Sequence, residues 1–434
     1  MAVGGRNRTT FIEYGSVGKW LSGSGDSLER NKLVSKVLSM GERIQGQLHL
    51  SRNPISYHSG GFKITDIAGL IQIDPKNEIE VAPKFLGTTW TSWREDFFYI
   101  LMLSRNGRLL PRHRVSSGTE TKNELVTLVA QSVIMMYWDC YRRPLKTYRL
   151  FNATDFMLEG DFEAEDLLLP SDDGFQQKIL SYDRLNIFNA TILGAVRTLL
   201  PAVREPQTRR QLARVEQALA PQVEIRKVRR QALPSRSRKW SNIYELAVDV
   251  LDGFGMSYSP KKLQAPGFVV DTWKIWEDLV TLALRAEIGS SLVFSQKSER
   301  LGTRKSNRNG IGNVGSVWVV PDMKIGGALG QVVDAKYKGR AGEQRIRIAE
   351  SDLYESLAFA TATKQNLVVL LYPAVPADSV APVVGQTKEF ERISVGEVQV
   401  IGLEIEVRGI SASGAFGQFK KRLADAVRAV KLNL

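Results

Sequence analysis

The spacing of apolar residues predicts a β-rich first region and a helical second region. Apolar and polar residues alternate between residues 46 and 85, and this period of two is typical of half-buried strands. Apolar residues then recur every three or four positions, which predicts helices at 93–106, 124–141, 185–200 and 209–219. Residues 176–252 as a whole are predicted to be helical.

The last third of the chain alternates between the two patterns. Helical spacing at 272–284, 349–363 and 417–430 is separated by strand-like segments that end near Asp322 or cover 332–338 and 367–372. A proline-bounded segment at 260–266 precedes this region. We therefore predict an α/β fold of the α+β multidomain type. Its predicted domains are a β-rich domain at 1–160, a helical connecting region at 161–262, and a mixed sheet flanked by helices at 263–434.

One pair of strand-like segments carries a distinctive set of polar residues. Within 332–338, the strand period of two places Asp334 and Lys336 on the same face. The glycine-rich stretch at 326–330 can turn the preceding segment back as an antiparallel neighbour, which brings Asp322 beside Asp334. Two carboxylates and one ammonium group are therefore predicted to share a site.

This combination suits the hydrolysis of phosphodiesters. A hard cation such as Mg2+ needs only one or two protein carboxylates, with water and phosphate oxygens as its other ligands. Asp322 and Asp334 are therefore the predicted ligands of Mg2+, or of Mn2+. Lys336 is predicted to orient or help deprotonate the attacking water and to stabilise the transition state. A short D-x-K also arises by chance as a solvated ion pair. The order of the surrounding helices and strands favours a site similar to that of PD-(D/E)xK nucleases.

A third acid is expected on the helix predicted at 272–284. Glu277 follows Trp273 by four residues and precedes Val280 by three, which places it on the apolar stripe of the helix. Asp278 aligns instead with the polar positions. We predict that Glu277 is the supporting acid, and Asp278 remains the alternative.

The chain resembles the McrC family, the nuclease subunit of McrBC-type, 5-methylcytosine-specific restriction systems. The resemblance extends over most of the chain and rests on IEVAPKF at 79–85, LEGDF at 158–162, Asp183 with the helix that begins near Asn189, WE at 276–277, PD at 321–322, DAKYK at 334–338 and DLYESLAFA at 352–360. It implies a restriction-endonuclease-like PD-(D/E)xK core that cuts DNA only when bound to a GTP-hydrolysing AAA+ ring of the McrB type. It also implies that the N-terminal half docks on this ring and stimulates its GTPase, within a hetero-oligomer.

Three positions depart from the family pattern. Ala335 stands where the family often has threonine, and Glu355 with Phe359 replaces a commoner glutamine and tyrosine pair on the supporting helix. These changes spare the two carboxylates and the lysine. They leave open a non-catalytic adaptor that keeps the nuclease fold and activates an AAA+ partner. A PD-(D/E)xK nuclease that acts alone is a further alternative.

The charge balance favours a polyanionic partner. Lys and Arg number 59 against 46 Asp and Glu, and the net charge is +13. DNA is favoured over a membrane surface, because core packing explains the one basic terminal helix at 417–430 equally well. DNA-binding residues are predicted mainly in a basic loop before Asp322: Lys297, Arg300, Arg304, Lys305, Arg308, Lys338 and Arg340. A second cationic run at 226–239 is interpreted as a solvated face or as a phosphate contact.

Other kinds of site are disfavoured by the composition. The single cysteine, Cys140, excludes an internal disulfide, and the three histidines, His49, His58 and His113, lack the spacing of a zinc site. No GxxxxGK[ST] segment occurs, so we predict that this chain binds no nucleotide itself. The absence of a signal-like start and of a long apolar run predicts a cytoplasmic protein without membrane contact.

Overall fold

The structure, a computed structural model, divides the chain into two compact units. Unit 1 combines Met1–Ser116 with Val269–Leu434, and unit 2 covers Ser117–Phe268. The predicted domain boundaries at 160 and 262 stay predictions. The residues that the structure describes are 7–15, 27–59, 61–73, 77–106, 125–162, 165, 171–203, 205–219, 230–251, 268–308, 311–337, 347–376 and 381–432.

A six-stranded mixed sheet forms the centre of unit 1. Its strands, in spatial order, are β15 (Thr387–Val395), β16 (Val398–Ile405), β14 (Leu367–Pro373), β13 (Gln331–Ala335), β12 (Met323–Ile325) and β9 (Val293–Ser295). The strands β16, β14 and β13 are parallel, whereas β15, β12 and β9 pair antiparallel with their neighbours. Every residue of β14 is buried, as expected for a central parallel strand that is covered on both faces.

Three helices of unit 1 pack against this sheet. They are α7 (Thr272–Ile288), α8 (Glu350–Thr363) and α9 (Ala415–Leu432). Trp276 of α7 is fully buried, and its Nε1 donates a hydrogen bond to the Leu371 carbonyl of β14 at 3.0 Å. The predicted mixed sheet with flanking helices is therefore confirmed.

The N-terminal region adds a second sheet to unit 1. Its strands, in spatial order, are β1 (Asn7–Ile12), β5 (Asn77–Ala82), β4 (Ile67–Gln72) and β8 (Phe268–Asp271). A separate hairpin pairs β2 (Ile55–His58) with β3 (Gly61–Ile64), and the helices of the region are α1 (Ser27–Leu48) and α2 (Trp93–Asn106). The strands predicted between residues 46 and 85 are confirmed. Helix α1 was not among the predictions, although Val37, Met40 and Ile44 are buried at helical spacing.

A buried polar cluster joins this region to the six-stranded sheet within unit 1. Glu13 is fully buried and accepts hydrogen bonds from the hydroxyl groups of Thr272 and Tyr337. Lys84 Nζ donates to the Tyr337 carbonyl and lies 5.0 Å from the ring centroid of Tyr14. Burial raises the pKa of Glu13 to about 7, against the effect of these hydrogen bonds and of Lys84. The N-terminal region therefore fixes the residue that follows Lys336 in the chain.

A long antiparallel ribbon in unit 1 replaces the basic loop that was predicted at 297–308. Its strands are β10 (Glu299–Arg308) and β11 (Ile311–Val319), and helix α8 packs against it. The loop prediction is wrong, because serine, asparagine and glycine hide the alternation of side chains along both strands. Asn309 and Gly310 stand between the strands in the sequence, and this pair is typical of two-residue hairpins.

Unit 2 combines helices with a second ribbon. The helices are α3 (Leu125–Tyr141), α4 (Ile187–Leu199), α5 (Pro206–Leu219) and α6 (Ser241–Leu251), with a 3-10 helix at Ser235–Trp240. The strands β6 (Thr147–Asp155) and β7 (Phe175–Asp183) pair antiparallel. The prediction that residues 176–183 are helical is wrong, because exposure along β7 alternates with the period of a strand. Among the described helices of the chain, none is both long and apolar enough to cross a membrane.

Candidate active site

Strands β12 and β13 bring two aspartates together, as the spacing predicted. Met323 pairs with Val333, so Asp322 lies opposite Asp334 at one end of the hairpin. The Asp322 backbone N donates to Asp334 Oδ1 at 3.3 Å, and the Ala335 backbone N donates to Asp322 Oδ2 at 2.8 Å. Asp322 lies in the short connection between β11 and β12 and not at the end of a strand. One backbone donor from this connection and one from β13 therefore hold the two carboxylates side by side.

Lys336 follows β13 and forms ion pairs with two carboxylates. Its Nζ lies 2.7 Å from Asp334 Oδ2 and 2.5 Å from Glu355 Oε2 of α8. Burial by itself would lower the pKa of Lys336, but the negative charges of Asp334 and Glu355 outweigh burial and raise this pKa. The amine is therefore protonated at neutral pH, which suits it to stabilise negative charge and not to accept a proton. Phe359, the other departure on α8, is buried in the core.

Glu277 is buried on α7 and joins the aspartates through one intermediate residue. Gln296 Nε2 donates to Glu277 Oε1 at 2.7 Å and to Asp322 Oδ1 at 3.1 Å. Asp278, the alternative acid, instead accepts a hydrogen bond from the hydroxyl group of Ser104 on α2 at 2.6 Å. Of the two neighbouring acids, Glu277 is therefore the one that the structure brings to the cluster.

Gln296 was not predicted from the sequence. It follows the three-residue strand β9, and its backbone N donates to the Asp322 carbonyl at 3.0 Å. Its φ of 52° lies in the left-handed region, which residues other than glycine seldom occupy. This conformation places a side-chain amide between two acidic residues that are distant in the chain. No local pattern marks the residue, because its position depends on the pairing of β9 with β12.

The two aspartates lie in an environment that disfavours a second negative charge. Burial and the charge of Asp334 raise the pKa of Asp322 to about 7. Asp334 Oδ2 is buried without a hydrogen bond, although it lies 2.7 Å from Lys336 Nζ. The ammonium group is close enough for an ion pair but is not aligned for a hydrogen bond. A cation beside these oxygens would offset the repulsion between the two carboxylates, and it would interact with Asp334 Oδ2, which accepts no hydrogen bond.

The residues present fit Mg2+ in its usual mode of binding. Within the described ranges, no three or more acidic, histidine or cysteine side chains are arranged to hold a metal ion. Mg2+ does not need so many, since it keeps several waters and binds one or two carboxylates. The oxygens of Asp322 and Asp334 are hard donors, which suit Mg2+ or Mn2+ better than softer metals. The pair is therefore a candidate two-carboxylate metal centre.

Five of the seven predicted DNA-contact residues lie in the β10–β11 ribbon or the segment before it. Lys297, Arg300, Arg304 and Lys305 are exposed, and Arg308 is the last residue of β10. Lys338 and Arg340 lie outside the described residues. Strand β11 ends at Val319, so the ribbon joins the chain immediately before the candidate centre.

Comparison with known proteins identifies the family. Residues 62–373 match the family described as McrBC 5-methylcytosine restriction system component. This chain belongs to the McrBC family. The matched span contains Glu277, Asp322, Asp334 and Lys336, and it ends before α9. Among proteins with curated descriptions, none matches this McrBC-family chain significantly.

Two solved structures share the fold of the McrBC-family chain. One is the refined half-complex from a tetradecameric assembly of Thermococcus gammatolerans McrB AAA+ hexamers with bound McrC. Its sequence identity to this chain is 14% and its TM-score is 0.65, and the match covers 97% of this chain and 100% of that chain. The other is the cryo-EM structure of the Thermococcus gammatolerans McrBC complex. Its sequence identity is 16% and its TM-score is 0.51, and the match covers 64% of this chain and 87% of that chain. At these identities the similarity establishes the fold.

Proposed function

We propose that this chain is the Mg2+-dependent DNA endonuclease subunit of a McrBC-type restriction or phage-defence complex. In this proposal it docks on a GTP-hydrolysing AAA+ ring and stimulates its GTPase. The observation that carries the nuclease part is the partly buried cluster of Asp322, Asp334 and Lys336, which Gln296 connects to Glu277. Family membership supports the restriction role.

Each residue of the cluster has a separate role in phosphodiester hydrolysis. Asp322 and Asp334 would hold Mg2+, which supplies Lewis acidity to phosphate and water oxygens when bound. Lys336 is kept protonated by its two carboxylate neighbours and stabilises the charge that develops on the phosphoryl oxygens. Gln296 holds the Asp322 carboxylate in place by donating one hydrogen bond to it and another to Glu277.

Replacement of Asp334 by alanine tests the nuclease assignment. Asp334→Ala should abolish DNA cleavage in the presence of Mg2+, GTP and an AAA+ partner, because it removes one predicted ligand and one of the two ion-pair partners of Lys336. Circular dichroism should show the fold of the unchanged protein. The matched control is Asp425→Ala, an exposed aspartate on α9. Full cleavage by Asp334→Ala removes the assignment.

The β6–β7 ribbon of unit 2 supports docking on a partner. The cross-strand pairs Tyr148–Tyr182 and Leu150–Leu180 expose four large side chains on one face. A contiguous exposed apolar patch of this kind typically marks an interaction surface. The chain of similar fold is described in complex with McrB AAA+ hexamers. We therefore propose this face as the docking surface for the AAA+ ring.

A paired set of variants tests the docking surface. Leu150→Ser with Leu180→Ser should abolish copurification with the AAA+ partner and stimulation of its GTPase, because both changes remove apolar contact area. Asn152→Ser with Thr154→Ser changes the polar half of the same face and should leave both unchanged. Normal stimulation by the leucine variant would exclude this face.

A non-catalytic adaptor is the second candidate function. The observation that favours it is the Glu355 carboxylate, which engages the Lys336 ammonium group that a nuclease would direct to phosphate. If the unchanged protein and Asp334→Ala both fail to cut DNA while both stimulate the partner GTPase, the adaptor is correct. Cleavage without any partner or GTP would instead indicate a nuclease that acts alone.

A further inference from the structure

The β10–β11 ribbon presents one side-chain face that its register defines. Cross-strand partners in an antiparallel pair point to the same side. The pairs Arg300–Trp318, Thr303–Ser316 and Lys305–Val314 therefore share one face, which we call the Trp318 face. A register shift after Arg300 keeps this residue on that side, and its guanidinium group donates a hydrogen bond to Thr303 Oγ1 at 3.3 Å.

The Trp318 face exposes large apolar side chains to solvent. Trp318 is 58% exposed and Val314 is 68% exposed. The opposite face is covered at its base, where Val319 packs against the apolar cluster of the six-stranded sheet. An exposed tryptophan on an ordered strand is a common feature of interaction surfaces, because its ring can stack on or pack against a partner.

The ribbon is strongly basic. Four basic residues, Arg300, Arg304, Lys305 and Arg308, lie between residues 299 and 319, and the only acidic residue there is Glu299. Glu299 is paired with Lys324 at 3.1 Å. A cationic surface that also carries an aromatic ring matches a nucleic acid, because phosphate contacts and ring contacts are both available.

The dimensions of the ribbon match duplex DNA. A strand of 9 residues such as β11 extends over about 30 Å, close to the roughly 34 Å of one helical turn. The major groove is about 12 Å wide and admits a two-stranded ribbon. Asp322 follows Trp318 by four positions, a span of at most about 14 Å. The Trp318 face therefore lies within a few base pairs of the candidate centre.

We propose that the Trp318 face binds duplex DNA in a groove beside the point of cleavage. Arg300 and Lys305 contact phosphates, while Trp318 and Val314 pack against sugar and base edges. The inference rests on the proposed function for the choice of DNA as the ligand. The inference goes beyond the proposed function in two ways. It names the surface that positions the duplex, and it assigns an apolar contact with DNA that the positive charge of the chain does not imply.

Binding to a short fluorescently labelled duplex tests the proposal. Anisotropy is measured with the full chain in EDTA over a series of salt concentrations, so that no cleavage is required. Arg300→Ala with Lys305→Ala should lower the slope of log affinity against log salt by about two, one for each phosphate contact. The control, Lys388→Ala with Lys421→Ala, removes the same charge from exposed positions on β15 and α9 and should leave the slope unchanged.

Trp318 should act through packing and not through charge. Trp318→Ala should weaken binding about tenfold at every salt concentration, with the slope unchanged. Trp318→Phe should restore most of the affinity, because it retains an aromatic ring. A fall in slope with Trp318→Ala, or no rescue by phenylalanine, would contradict the assigned role.

Three outcomes overturn the proposal: no duplex binding by the unchanged chain, wild-type binding by both ribbon variants, or tighter binding of a single strand of equal length. Cleavage assays on the same variants separate this proposal from the proposed function. If no preparation cuts DNA but the ribbon variants bind as predicted, the nuclease assignment fails alone. If cleavage occurs and the ribbon variants bind normally, the Trp318 face fails alone.

Discussion

Replacing Asp322 with asparagine should stabilise the metal-free protein while it abolishes the response to Mg2+. Burial and the charge of Asp334 raise the pKa of Asp322 from the ordinary value of 3.8 to about 7. A carboxyl group with a raised pKa in the folded state contributes stability below its unfolded pKa, and this contribution is lost as the pH rises through about 7. At pH 8 the ionised carboxylate therefore destabilises the fold, and asparagine removes that charge.

The size of the effect follows from the contacts of Asp322. The shift from 3.8 to about 7 spans about three pKa units, which corresponds to about 4 kcal/mol at most. Asparagine can still accept the hydrogen bond from the Ala335 backbone N, but it forfeits the one from Gln296, at a cost of about 1 kcal/mol. Solvent screening reduces the gain further, because Asp322 is only partly buried. We expect a net gain of about 2 kcal/mol at pH 8 and none near pH 4.

Thermal unfolding in EDTA and in Mg2+ measures this prediction. At pH 8 the unchanged protein should gain Tm with Mg2+, because the ion binds only the folded state. Asp322→Asn should have a higher Tm in EDTA and no gain with Mg2+. Asp425→Asn, an exposed control on α9, should match the unchanged protein in both conditions. A lower Tm of Asp322→Asn in EDTA at pH 8 would refute the electrostatic argument, and an equal Mg2+ response would remove Asp322 from the ligands.

Three further predictions concern neighbouring residues. Lys84→Met should lower the free energy of unfolding in urea by about 3 kcal/mol, because it leaves the buried carboxyl group of Glu13 without its cation; an unchanged value contradicts this. Glu277→Gln should slow Mg2+-dependent DNA cleavage about 10- to 100-fold while Asp278→Asn cuts normally, since only Glu277 bonds to the cluster; equal rates refute it. Glu355→Gln should change the free energy of unfolding by less than about 1 kcal/mol, because its carboxylate is 49% exposed and screened; a larger loss would show that this ion pair is structural.

Long periodic segments explain why much of the fold could be predicted. Helices α7, α8 and α9 and the buried strand β14 each repeat one pattern over many residues, and their predicted and observed positions agree closely. Strands β7 and β10 were misassigned, because each contacts solvent along much of its length and carries few apolar residues in regular alternation. A ribbon takes its structure from the pairing of its strands, and pairing is not visible in a single segment.

The residues of the candidate site also differ in whether the local sequence or the tertiary structure determines their position. Asp322, Asp334 and Lys336 could be brought together from strand period and a glycine-rich turn, because β12 and β13 are neighbours in the chain. The burial of Glu277 followed from its spacing to Val280, which is buried, but Trp273, predicted to lie on the same apolar stripe, is 46% exposed. Gln296 could not be predicted, since only the pairing of β9 with β12 carries it to the aspartates.

The packing of unit 1 links the N-terminal region to the geometry of the centre. Lys84 Nζ bonds to the backbone carbonyl of Tyr337, the residue after Lys336, and the Tyr337 hydroxyl group bonds to Glu13. The Lys336 backbone N is held in turn by the Leu371 carbonyl of β14 at 2.9 Å. The D-x-K segment is therefore fixed on one side by the central sheet and on the other by residues from the first 85 positions of the chain. A displacement of the N-terminal region would reach Lys336 through one peptide unit, so this region forms part of the structural support of the candidate centre.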